Sequence, residues 1–162
     1  MASHPQARAK ASGVAAPAVP PIAQALAWRD LAPVSGPETD PEALADTAER
    51  AYTALRRRLI GLIGRDGFAA LLNRALRLAR IVYPTLEGIT LDNQAETGLR
   101  GIREYAQTQA GDGAAAGGLA AILAQLIGLL VVFIGEDLAV RLVQDAWPHL
   151  AGETAERGAK HG

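Results

Sequence analysis

The chain has 162 residues and a formal net charge of −1, so one compact domain is expected and no general attraction to nucleic acid or anionic lipid is predicted. It contains no cysteine, which excludes disulfides, a thiolate nucleophile and a cysteine-based zinc site. Hydrophobic residues make up 49% of the chain but aromatic residues only 4%, so the core must be built from Leu, Ile, Val and Ala. This composition favours helices over sheets.

Residues 1–39 are rich in alanine and proline, and seven of the nine prolines lie within the first 41 residues. Prolines at this density interrupt both helices and strand ladders, so the segment is predicted to be a disordered arm. One stretch inside it, Pro21–Leu31, could form about two or three helical turns. We expect this stretch to lie on its own domain, and the alternative is a peptide that docks on a partner through Trp28.

A helical bundle domain is predicted for residues 40–150. Its first helix begins at Asp40, a good N-cap, and carries apolar residues at heptad spacing as far as Gly64. Phe68 opens a second amphipathic helix, which ends before Pro84. Because the turn between these two helices is short, they are predicted to pack as an antiparallel hairpin.

The next part of the chain has a weaker helical pattern. Asn93 and Glu96 have the spacing of a capping box, which predicts a third helix that runs to about Gln109 in spite of two glycines. The stretch 110–118 is rich in alanine and glycine and is predicted to be a flexible joint. Residues 151–162 are predicted to be a flexible C-terminal tail.

The segment from Gly117 to Trp147 poses the main question, because residues 114–134 contain no charge and about twenty apolar residues can cross a membrane. However, the strongly apolar part is only residues 119–134, and no basic cluster or aromatic belt flanks it. The helical pattern also continues as far as Trp147. We therefore predict the central helix of a soluble, cytoplasmic bundle. The alternative is a single-pass or peripheral membrane protein that is anchored by residues 119–134.

Small residues recur along this segment at alternating spacings of three and four. Such residues let two helix backbones approach closely, so they predict a helix–helix seam. The partner helix belongs either to the same chain or to a second copy in a homodimer. The seam residues are Ala121, Ala124, Gly128, Val131, Gly135 and Leu138.

The sequence carries no catalytic, cofactor-binding or metal-binding pattern, so no enzyme activity, cofactor or metal is predicted. The three histidines lack metal-ligand spacing. Arginines are enriched on the first two helices, and Arg74, Arg77 and Arg80 step along one side of the second. They could meet an acidic partner, but the simpler interpretation is the solvated face of an amphipathic helix, and a nucleic-acid partner is not expected.

The sequence therefore predicts an all-α protein with a disordered N-terminal arm, a helical hairpin and a long, mostly apolar C-terminal helix. The expected role is a non-catalytic interaction or regulatory module that associates with itself or with another helical protein.

Overall fold

The computed structural model describes residues 19–31, 40–109 and 114–148. Within these ranges it contains five α-helices, which confirms the all-α prediction. They are α1 (Pro21–Leu31), α2 (Pro41–Val82), α3 (Ile102–Thr108), α4 (Ala114–Ile134) and α5 (Glu136–Ala146). Between α2 and α3 lie a 3₁₀ helix, Pro84–Gly88, and an antiparallel pair of two-residue strands, β1 (Thr90–Leu91) and β2 (Leu99–Arg100).

Helix α2 consists of two helical arms, residues 41–63 and 65–82, that meet at Gly64. The helix begins where the sequence predicts, because the carboxylate of Asp40 accepts a 3.1 Å hydrogen bond from the backbone N–H of Glu42. Gly64 has φ 80° and ψ 170°, which is not helical, and the chain bends there. Arg56 and Phe68 would lie about 18 Å apart along a straight helix, yet the guanidinium of Arg56 is 5.9 Å from the Phe68 ring. The predicted hairpin is confirmed.

Helix α4 is the centre of the fold. Thirteen of its twenty-one residues are buried, and α1, α2, α3 and α5 all pack against it. A helix that is apolar on every side has this position in a helical bundle, because it has no polar face to turn towards water. The predicted long apolar helix is confirmed.

The predicted continuation of this helix to Trp147 is wrong, because α4 ends at Ile134 and α5 folds back on it after Gly135. Two buried hydrogen bonds fix this second hairpin on α2. The hydroxyl of Tyr52 donates to the backbone carbonyl of Leu119 over 2.7 Å, and Nε1 of Trp147 donates to the carbonyl of Ala51 over 3.1 Å. The start of α4 and the end of α5 therefore meet neighbouring residues of α2.

The two hairpins turn through the same kind of corner. Gly135 has φ 94° and ψ 155°, close to the values at Gly64. The local sequences are also alike, because Ile-Gly-Arg-Asp surrounds the first corner and Ile-Gly-Glu-Asp surrounds the second. In both, glycine supplies a conformation that other residues adopt only at a cost, and the helix restarts with a charged residue and an aspartate.

The third helix is shorter than predicted. It covers only Ile102–Thr108, while residues 90–100 form the strand pair and its turn. Gly98 and Gly101 have φ values of 84° and 98°, which are not helical, so no continuous helix crosses this region.

The predicted disordered arm contains an ordered helix, α1, at the stretch where helical turns were expected. Ala23, Leu26, Ala27 and Leu31 are buried, and α1 packs mainly on α4. Residues 21–31 therefore belong to the bundle, since their apolar side covers part of α4. The rest of the arm, residues 1–18 and 32–39, and the predicted C-terminal tail lie outside the described residues.

Replacing either corner glycine by alanine should destabilise the fold. A Cβ at Gly64 or Gly135 meets no atom within 4 Å, so the cost comes from the backbone conformation and not from a clash. We expect Gly64→Ala and Gly135→Ala each to lower the free energy of unfolding by about 1–3 kcal/mol in urea denaturation. Gly61→Ala is the matched control, because Gly61 is a helical, exposed glycine, and it should raise stability by about 0.5–1 kcal/mol. Equal effects at all three positions would contradict the assignment.

Tyr52 should make the protein sensitive to alkaline pH. Burial raises the pKa of Tyr52 well above its usual value, and the charge of Tyr105 raises it further. Above about pH 10 the unfolded chain therefore releases the Tyr52 proton while the folded chain keeps it. This group should lower the free energy of unfolding by up to about 1.4 kcal/mol for each pH unit above that value.

Tyr52→Phe removes both effects of this hydroxyl. At pH 7 we expect a loss of about 1 kcal/mol, because the hydrogen bond to Leu119 is lost. Above pH 10 the stability of the variant should fall less steeply than that of the wild type. Parallel curves of stability against pH would show that Tyr52 ionises as easily in the folded state as in the unfolded chain.

Candidate interaction surfaces

The two most exposed large apolar side chains of the described residues lie just before the corner at Gly135, and a third exposed one lies just after it. Val132 and Phe133, in the last turn of α4, are 83% and 66% exposed, and Leu138, in the first turns of α5, is 45% exposed. We call these three residues the apolar corner. Phe133 is one of only two phenylalanines, and the other, Phe68, is buried. Two carboxylates, Glu136 and Asp137, lie exposed beside the apolar corner, where the N-terminus of α5 favours negative charge.

The predicted seam residues do not form one stripe. Ala124 and Gly128 are buried, Ala121 and Val131 are partly buried, Gly135 is the corner, and Leu138 lies on the next helix. The small residues are used within the chain. A Cβ at Gly128 would lie 3.2 Å from Cδ of Pro20 and 3.7 Å from Cγ1 of Val19, so the start of α1 occupies this face.

The corner at Gly64 also exposes an apolar side chain, but its surroundings are basic. Leu62 is 49% exposed, and both Arg58 and Arg65 are exposed. We call these three residues the basic corner. Asp66 is exposed next to them and offsets one of the two positive charges.

The other arginines have different roles from the predicted patch. Arg74 and Arg77 are exposed, as expected for a solvated face. Arg80 is not available to a partner, because its guanidinium donates hydrogen bonds to the carbonyls of Leu86 and Ile89 and so holds the 3₁₀ helix against α2. Trp28 is 43% exposed on the outer side of α1.

A charge network that the sequence analysis missed joins α3 to α2. Nη1 of Arg103 lies 2.6 Å from Glu42, and Nη2 lies 2.8 Å from both Asp46 and Glu49. The hydrogen bond to Asp46, followed by the charge of Glu49, raises the pKa of Arg103 above its usual range. No local sequence pattern indicates this network, because the partners of Arg103 lie more than fifty residues away along the chain.

An open groove of about 510 Å³ adjoins this network. Its lining mixes acidic and basic side chains with Thr53 and Ala54, and Arg57 and Glu96 approach each other across it at 3.9 Å. Within the described residues, no group of three His, Asp or Glu side chains could hold a metal ion. The three histidines, His4, His149 and His161, lie outside those residues.

Comparison of the chain with known protein families, with curated proteins and with solved structures gives no match. Helix α4 has the length and the mean hydropathy, 2.5, of a membrane span, and 61% of its most apolar window is buried inside the fold.

Gly128→Leu should separate α1 from α4. The new side chain would push into Val19 and Pro20, and overpacking of this kind costs about 1–3 kcal/mol. We expect the free energy of unfolding to fall by this amount in urea denaturation. Gly61→Leu, which meets no atom within 4 Å of its Cβ, should not lower stability. A Gly128→Leu protein as stable as the wild type would show that α1 does not rest on this face in solution.

Proposed function

We propose that the protein is a non-catalytic helical interaction module that associates with a second copy of itself through the hairpin of α4 and α5, at the apolar corner. The proposal places the protein in the cytoplasm. The observation that carries it is the exposure of Val132, Phe133 and Leu138 on the two helix ends that flank Gly135, on a domain whose other phenylalanine is buried.

The energetics support an interface there. Single exposed apolar side chains are common on protein surfaces, whereas large contiguous apolar patches mark interaction sites. Val132 and Phe133, at 83% and 66%, are more exposed than the other exposed apolar pair, Ile81 and Val82, at 47% and 57%. Full burial of a valine, leucine or phenylalanine side chain is worth about 1.5–3 kcal/mol, so three together can supply much of the free energy of a weak dimer. Gly128 is already covered by Val19 and Pro20, and Ala124 is buried, which favours the corner over the predicted seam as the surface for a second copy.

The non-catalytic part of the proposal rests on how the polar side chains are used. Arg103 and its three carboxylates connect α3 to α2, and Arg80 holds the 3₁₀ helix. The buried hydroxyl of Tyr52 is engaged by a backbone carbonyl. These groups have structural roles that account for their presence without a reaction.

Membrane attachment is the second candidate function. It is favoured by the length and hydropathy of α4, either as a span or with the apolar corner inserted into the lipid. Two observations weigh against it. The other helices cover most of α4, and Glu136 and Asp137 would bring two negative charges to an anionic lipid surface.

The association state of a corner variant tests the proposal. We expect the wild type to form dimers in sedimentation experiments, and Val132→Ser/Phe133→Ser to raise the dimer dissociation constant at least about tenfold, since about 1.4 kcal/mol corresponds to a factor of ten. The control is Ile81→Ser/Val82→Ser, which changes exposed apolar residues elsewhere and should leave the dissociation constant unchanged. A wild type that stays monomeric at every concentration would refute self-association. Flotation of the wild type with vesicles of phosphatidylcholine and phosphatidylglycerol would instead support the membrane function.

A further inference from the structure

We propose that the apolar corner of one copy docks on the basic corner of a second copy. This inference rests on the proposed self-association and names the surface that receives the apolar corner. The two surfaces share exposed aliphatic side chains and differ in charge, which is the combination that complementary contacts need.

Contact of the apolar corner with itself is disfavoured by its own charges. In a two-fold contact of this kind, Glu136 and Asp137 of one copy would face the same two carboxylates of the other. Like charges that are brought together and partly desolvated repel each other. Arg141, one turn further along α5, is the nearest positive charge in the sequence and balances only one of the two carboxylates. The receiving surface therefore needs positive charge beside an apolar patch.

The basic corner has this chemistry. Arg58 and Leu62 lie one turn apart on the same side of α2, and Arg65 follows directly after Gly64. Both arginines are exposed, and neither forms an ion pair with a residue that the structure describes. They can therefore meet the carboxylates of a second copy, while Leu62 meets the exposed apolar side chains. Even with the negative charge of Asp66 included, the basic corner has a net positive charge.

The two corners have a similar backbone form. Both are helix ends that turn through a glycine of nearly the same conformation, and both present the last turn of one helix beside the first turn of the next. In a dimer with two-fold symmetry, each corner of one copy would contact the other corner of its partner, so the contact would form twice.

Charge reversal of the full-length protein tests the pairing. We expect Glu136→Arg/Asp137→Arg and Arg58→Glu/Arg65→Glu each to weaken self-association at least about tenfold in sedimentation experiments. An equimolar mixture of the two variants should associate about as tightly as the wild type, because opposite charges again face each other. The control is Arg74→Glu/Arg77→Glu, which reverses two exposed arginines further along the second arm of α2 and should leave association unchanged.

A neutral variant guards against a folding defect, because arginines at the start of α5 oppose the helix dipole. Glu136→Gln/Asp137→Asn should fold as the wild type and show a smaller loss of affinity, together with a weaker dependence on salt. Reversal variants that associate as tightly as the wild type would overturn the pairing, and so would a mixture that does not regain affinity. If Val132→Ser/Phe133→Ser still weakens association in that case, the proposed function stands and only the partner surface is wrong.

Discussion

Helix α4 has no polar side, so the other helices pack around it and shield it from water. Thirteen of its residues are buried, and burial of apolar surface contributes roughly 25 cal/mol per Å². One side receives α1 at Gly128, where the missing side chain lets Pro20 approach closely. The two arms of α2 pack on other sides of α4, and so does α5, which folds back after Gly135. Tyr52 and Trp147 then fix the arrangement with two hydrogen bonds that satisfy their own polar atoms inside the core.

The other helices leave the last turn of α4 exposed, and the proposed function depends on this exposed turn. The chain reverses at Gly135, so α5 covers the body of α4 but leaves Val132 and Phe133 in the open. The same device, a glycine with positive φ between two helices, reverses α2 at Gly64 and leaves Leu62 exposed. Each reversal that helps to bury the central helix thus produces one exposed helix end, and the proposed association uses these two ends.

The net charge of −1 hides a local separation of charge. One corner carries Glu136 and Asp137, the other carries Arg58 and Arg65, and the network between α2 and α3 sets three carboxylates around Arg103 and so keeps a net negative charge. Association depends on the local distribution of charge and not on its sum. A chain with little whole-molecule attraction to nucleic acid or lipid can therefore still have two surfaces that attract each other.

The sequence by itself determined the elements whose signals are local. Asp40 and Pro41 start α2, Gly64 ends its first arm, Pro84 follows its second, and the absence of charge marks α4 as an element without a polar face. The tertiary structure revealed the break at Gly135: its local sequence resembles that at Gly64, but the apolar spacing continues across it and periodicity does not report a reversal of direction. It also decided that α1 is ordered and that Arg80 and Arg103 are structural. Their partners are backbone carbonyls or residues far along the chain, and pairings of that kind exist only after the helices have packed.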